Sequence, residues 1–248
     1  MAGHSKWSNI KHRKAGQDAK RGKLFTKIIR ELTIAARDGG GVVEDNPSLR
    51  TIVDKAKAAQ MPKDTMERAI KRGAGGLEGG DLSTLTYEGY GPAGVAVLVE
   101  TVTDNKNRTV AEVRHAFDRS GGNLGTNGSV AYMFDKKGQI HFEPGLDEDV
   151  IMEIAIESGA DDVESSTDGS IEVLTSIEDF HTVKDALLAG GFEPANAEIG
   201  MVPKNYTPLD VANSEKVIRL IDNLEDLDDV QNVYMNAEFP EDMDEVME

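Results

Sequence analysis

Leu24, Phe25, Ile28, Ile29, Leu32 and Ala36 recur at three- and four-residue spacing, while Lys20, Lys23, Lys27, Arg30 and Arg37 fall on the opposite side. That period predicts a helix over Gln17 to Asp38 with one apolar and one basic face. Gly39-Gly40-Gly41 ends it. Asn46-Pro47 then supplies a cap and a first-turn proline for a second helix with Leu49, Ile52, Val53 and Ala56 inward, and Pro62 closes that one. A third short helix carries Met66, Ala69 and Ile70 and runs to Gly73. Three short amphipathic helices make a small bundle.

GAGGLEGGD, residues 73–81, has five glycines in nine positions and reads as a flexible linker. Beyond it strands and helices alternate. VAVLVETV (95–102) is a strand, Thr109 to Ser120 a helix and SVAYMF (129–134) a strand. QIHFE (139–143), a helix over Asp147 to Ser158, strands near DDVES and SIEVLTS, a helix over Phe180 to Leu188 and a strand around AEIGMVP follow. A helix from Ser214 to Leu224 and a strand VQNVYMNAEF come last. If the middle stretch is an insertion, the outer pieces reunite around it. The expected fold is therefore α+β, an N-terminal three-helix domain followed by two ferredoxin-like α/β domains, one inserted in the other. The domains expected are residues 1–76, residues 82–135 joined with 206–248, and an inserted acidic unit over 136–205.

The length of 248 residues fits two or three domains, each with its own core, and there is no run of 18 apolar residues to span a membrane. The absence of cysteine excludes disulfides, thiolate metal sites and cysteine nucleophiles, and fits a reducing cytosol. No apolar stretch follows Met1 as a secretory signal would require. The basic opening is poor in serine and runs directly into helical sequence, so it reads as mature protein rather than a presequence.

Charge changes the picture most. Residues 1–76 carry 17 Lys+Arg against 8 Asp+Glu, a net of +9, and the remaining residues carry 10 against 37, a net of −27. A basic segment on an acidic body suits an arm that meets a polyanion while the body avoids it.

Candidate chemistry elsewhere is thin. GYGPAG, Gly89 to Gly94, matches the glycine spacing of a dinucleotide loop, but a strand follows where that loop must open a helix, and no G-K-[ST] occurs. His4, His12, His115, His141 and His181 show no metal spacing, and His115 reads as a partly buried packing residue. The acidic clusters at 161–168 and 225–229 lack the calcium-loop pattern and read as solvated faces. GGNLGTNGS, residues 121–129, joins a helix to a strand; its backbone N–H groups suit a phosphate, though a helix cap and turn explain it more simply. Nothing organises a nucleophile, a base and an orienter, so no catalytic residue, metal, cofactor or small-molecule substrate is expected.

The opening differs in kind. Lys6, Lys11, Arg13, Lys14, Lys20, Arg21 and Lys23 supply phosphate contacts, Lys27 and Arg30 continue the basic face, and Trp7, His4 and His12 offer flat surfaces for stacking on an unpaired base. Before Gln17 the apolar residues are too few to bury the segment, which suits folding on a partner.

GHSKWSNIKHRKAGQDAKRGKLFTKIIRELTIAAR, MPKDTMERAIKRG, YEGYGPAGVAVLVETVTDNKNRTVAEVRHAF and GGNLGTNGSVAYMF together resemble the YebC family, which includes the mitochondrial translational activator of cytochrome oxidase. The similarity covers essentially the whole chain, departing only in the stretches between motifs and in the acidic C-terminus. The resemblance implies a three-domain α/β regulator of gene expression, cytoplasmic in bacteria, customarily labelled a DNA-binding transcriptional regulator. More recent family work implies a ribosome-associated factor that relieves stalling on proline-rich stretches. Because the family's opening begins here at Ala2, the resemblance implies a bacterial rather than an imported copy. Lysine, three of the six cations in the basic helix, grips phosphate without reading bases, and the acidic remainder would be repelled by a long duplex. Ribosomal RNA is therefore the favoured partner, with DNA as the alternative and a hydrolase or acidic scaffold more distant.

Overall fold

The computed structural model describes residues 19–76 and 82–240. Three helices come first: α1 (Ala19–Gly39), α2 (Pro47–Ala58) and α3 (Lys63–Lys71). Ile28, Leu32, Ala35 and Ala36 of α1 meet Leu49, Val53 and Ala56 of α2 and Met66 and Ala69 of α3 in one core. Leu24, expected inward, is exposed. Asn46 does more than cap. Its Oδ1 accepts from Leu49 N at 3.0 Å, while its Nδ2 donates to Ala35 O at 2.8 Å and to Gly40 O at 2.9 Å, so one side chain starts α2 and seals the end of α1. Beyond α3 the chain makes a wider helical turn over Arg72–Gly76. A Cβ at Gly73 would stand 2.1 Å from Thr33 O, so only glycine lets this turn lie against α1.

The first sheet runs β3-β1-β2-β9. Its strands are β1 (Ser83–Tyr90), β2 (Ala96–Thr103), β3 (Asn123–Leu124) and, much later, β9 (Val230–Met235), each antiparallel to its neighbours. Helix α4 (Lys106–Arg119) leads from β2 to β3, and α7 (Val211–Glu225) leads into β9. Val113 and Phe117 of α4 and Val217, Leu220, Ile221 and Leu224 of α7 are buried. β2, enclosed between β1 and β9, is buried at every position except the half-buried Glu100. Four antiparallel strands and two helices are the content of a ferredoxin-like unit, here connected as ββαβ before the insertion and αβ after it.

The second sheet holds β4 (Phe134–Phe142), β5 (Asp162–Ser165), β6 (Ile171–Thr175) and β7 (Asn196–Pro203) in the order β5-β6-β4-β7, all antiparallel. With α5 (Glu148–Glu157) after β4 and α6 (Phe180–Ala189) after β6, this is the ferredoxin-like βαββαβ order. Ile140 and Phe142, Ile151 and Ala155, Ile171 and Val173, and Phe180, Val183 and Leu187 form its core. A short parallel pair, β8 (Thr207–Pro208) with β10 (Ala237–Glu238), follows. Two compact units result, one holding the bundle, the first sheet and residues 212–235, the other holding residues 132–211 with 236–240.

One expectation along the chain needs correction, and one strand lies where none is expected. SVAYMF is not a strand: Ala131–Met133 form a single tight turn, Tyr132 is exposed, and β4 begins only at Phe134 and runs on through QIHF. STLTYEGY, which carries no strong apolar alternation, is β1, held in register by eight cross-strand pairs with β2.

Candidate nucleic-acid interface

Lys23, Lys27 and Arg30 lie at i, i+4 and i+7 on α1 and share one stripe, as their spacing requires. The stripe faces the chain's own acidic corner where α7 ends. Lys27 Nζ donates to Glu225 O at 2.8 Å, and Lys23 Nζ to Asp226 O at 3.1 Å and Asp226 Oδ1 at 3.4 Å. Arg30 Nη1 donates to Asp228 O and stands 3.2 Å from Asp229 Oδ1 as an ion pair. The last carbonyls of a helix have no partner within it and carry its partial negative charge, so cations are well placed there.

Asp229 anchors this corner. It is buried, and its Oδ2 accepts from Thr103 Oγ1 at 3.0 Å, Thr109 Oγ1 at 2.8 Å and Arg108 Nη2 at 2.7 Å. Its backbone O accepts from Val102 N at 2.9 Å. Burial alone would push the Asp229 carboxyl upward, but the bonds from Arg108, Thr109 and Thr103 outweigh it and hold the group below the usual aspartate range. The acidic run 225–229, expected to be a solvated face, is instead the seat of α1.

The other residues of the expected site divide. His4, Lys6, Trp7, Lys11, His12, Arg13 and Lys14 lie outside the described residues. Lys20 and Arg21 belong to the first turn of α1, and their side chains also lie outside the described part. Arg37 leaves the basic face to bond Asp38 Oδ1 at 2.9 Å and Leu82 O at 2.6 Å. Elsewhere in the bundle Lys55 pairs with Glu31, Lys57 with Asp54 and Lys63 with Glu67. Lys71 and Arg72, which are not among the residues expected from sequence, are exposed and enter no ion pair among the described residues. Two adjacent cations before a glycine are the signal for them, and the close seat of Gly73 on α1 fixes their position.

The end of the glycine-rich loop, Gly128, and the two residues that follow Ser129 do bind an anion, and the anion is the chain's own. Gly128 N donates to Glu88 Oε1 at 2.6 Å, and Val130 N and Ala131 N each donate to Oε2 at 2.8 Å. Glu88 is buried, which alone would raise its carboxyl, yet these N–H groups bring it below the usual glutamate range. Tyr90 on the same strand donates from its hydroxyl to Ser129 O at 2.9 Å. GYGPAG is the β1–β2 hairpin turn, closed by Gly91 N to Val95 O at 2.8 Å, with Ala93 held at φ 56°. No helix opens there.

Among the described residues no group of three or more His, Asp or Glu is placed to hold a metal ion. His115, expected to be partly buried, is exposed on α4, His141 is buried on β4, and the His181 ring meets Phe180 edge-on at 5.2 Å. No helix among the described residues is long and apolar enough to cross a membrane.

Residues 5–76 match the TACO1/YebC protein N-terminal domain, and residues 82–237 match the TACO1/YebC second and third domain. The chain belongs to the TACO1/YebC family. A Hahella chejuensis member named "Probable transcriptional regulatory protein" is 64% identical over 248 residues, covering 100% of this chain and 98% of the relative. "Transcriptional regulatory protein PmpR" of Pseudomonas aeruginosa is 60% identical over 243 residues, 98% of each chain. The crystal structure of a conserved hypothetical protein from Aquifex aeolicus shares the fold at a TM-score of 0.81 and 47% identity, covering 90% of this chain and 93% of that one. The family's domain boundary falls at residues 77–81, within the glycine-rich linker.

Proposed function

We propose that this TACO1/YebC family member is a non-catalytic regulator of gene expression that grips RNA through its basic opening, acting as a ribosome-associated translation factor in the cytoplasm. The observation that carries the reading is where the cations stand. Lys6, Lys11, Arg13, Lys14, Lys20 and Arg21 share residues 1–21 with Trp7, His4 and His12 and only one carboxylate, Asp18. The cations that follow on the same face, Lys23, Lys27 and Arg30, are already engaged by the chain's own residues 225–229. A polyanion is thereby directed to the opening, with Lys71 and Arg72 as further contacts on the bundle. Lysine-rich contact to phosphate carries no base readout, whereas a tryptophan stacks on a splayed base, which suits structured RNA.

The second reading, a DNA-binding transcriptional regulator, is favoured by the names of the relatives. Trp7→Ala distinguishes the two. On structured RNA its loss is expected to cost roughly 1–3 kcal/mol of affinity and leave the salt dependence alone, while duplex DNA, already stacked, is hardly affected. Equal losses on both at unchanged thermal stability favour the DNA reading.

A further inference from the structure

Six of the nine exposed large apolar side chains among the described residues fall between residues 146 and 188 of the second unit: Leu146, Val150, Met152, Ile156, Ile177 and Leu188, three of them close together at 150–156. Met152 and Ile156 are one turn apart on α5, beside the face on which Ile151 and Ala155 hold the core, and both are exposed. Ile156 is 51% exposed, unusual for a residue that a solvated helix would make polar. Glu148, Asp149, Glu153 and Glu157 surround the pair, all exposed, and α5 has no Lys or Arg. Residues 136–205 as a whole carry 4 lysines, no arginine and 16 carboxylates. A face that is both apolar and ringed by one sign of charge is suited to a ligand with the opposite pattern.

We infer that the outer face of α5 docks a cationic amphipathic segment of another protein, its apolar side chains on Met152 and Ile156 and its Lys or Arg side chains on Glu148, Asp149, Glu153 and Glu157. Nucleic acid is repelled by this charge. A second copy of the chain would bring two strongly acidic units together, so self-association through this face is disfavoured.

The probe is a fluorescein-labelled synthetic amphipathic helix of leucines and lysines, titrated with the full chain and followed by anisotropy. Saturable binding is expected, weakened about tenfold or more by Met152→Ser combined with Ile156→Ser, and similarly by replacing the peptide's leucines with serine. Glu153→Lys with Glu157→Lys keeps the apolar pair and is expected to weaken binding as much, which carries the test should the serine pair disturb folding. Unchanged binding in the charge-reversed variant, or equal binding of the leucine-free peptide, overturns the proposal. A concentration-dependent dimer in sedimentation that the serine pair abolishes also overturns it, in favour of a second copy.

Discussion

Arg30 on α1 and Asp229 ahead of β9 stand 3.2 Å apart, the arginine 20% and the aspartate 2% exposed at the side chain. Through this pair the basic bundle and the first sheet share one anchor, because the same carboxylate also takes Arg108, Thr103 and Thr109. Asp229→Ala removes the buried carboxylate that Arg30, Arg108 and the hydroxyls of Thr103 and Thr109 share. A loss of about 3 kcal/mol in unfolding free energy is expected from urea denaturation.

Lys27→Ala and the combined Lys11, Arg13 and Lys14 to alanine change are expected to behave oppositely. The first removes an intrachain hydrogen bond to Glu225 O, so it lowers stability by about 1 kcal/mol and leaves the salt slope of RNA binding unchanged. The triple change leaves stability alone and lowers the slope of log affinity against log salt by about 0.7 to 0.9 for each phosphate that is no longer gripped. For the same reason a chain starting at residue 22 is a cleaner test of the opening than one lacking the whole bundle, whose removal would uncover Asp229.

The Glu88 carboxyl lies below its ordinary value of 4.5 in the folded chain, so its contribution is complete above that value and is lost as pH falls from there through the lower folded value. Glu88→Gln keeps the shape but turns an amide against three N–H donors. A cost of about 1–3 kcal/mol is expected at neutral pH. The gap between the two proteins should narrow as the medium is acidified below 4.5, read from urea midpoints at a series of pH values. A gap independent of pH would contradict the assignment.

Gly73→Ala places a methyl group 2.1 Å from Thr33 O and 2.9 Å from the Ala36 side chain. The turn over Arg72–Gly76 must move off α1, with an expected loss of about 2–3 kcal/mol in thermal or urea unfolding. Arg72 moves with it, so RNA affinity should fall as well.

Calorimetric titration with ATP, GTP or NAD is expected to show no heat of binding, since Gly89 to Gly94 closes a hairpin and leads into β2 rather than a helix. Micromolar binding of any of them would contradict that role for the loop.

Features fixed by neighbours in sequence are legible without coordinates. Asn46-Pro47 announces α2, and the β1–β2 turn is visible in Gly-Pro-Ala-Gly, because caps and turns are local chemistry. Long-range partners are not. The spacing of Lys23, Lys27 and Arg30 is plain, but that their stripe meets residues 225–229 follows only from tertiary packing. Glu88 looks like a solvent-facing residue of a weak strand until the loop that encloses it is in place. β1 escapes pattern reading because its polar outer positions and Gly89 dilute the alternation, and SVAYMF misleads because aromatic and branched residues also fill turns. Within the expected interface, the face of α1 is legible and its occupant is not.

The insertion between β3 and α7 also sets a timetable. Thr103 at the end of β2 must wait for Asp229, 126 positions later, whereas β4 to β7 pair wholly among themselves. At typical synthesis rates that interval is roughly ten seconds, long enough for the inserted unit to fold first. Throughout it β2, apolar from Ala96 to Val99, has β1 on one side and an open edge on the other. The nascent chain is thus most prone to misassociate in the period just before its final helix and strand emerge.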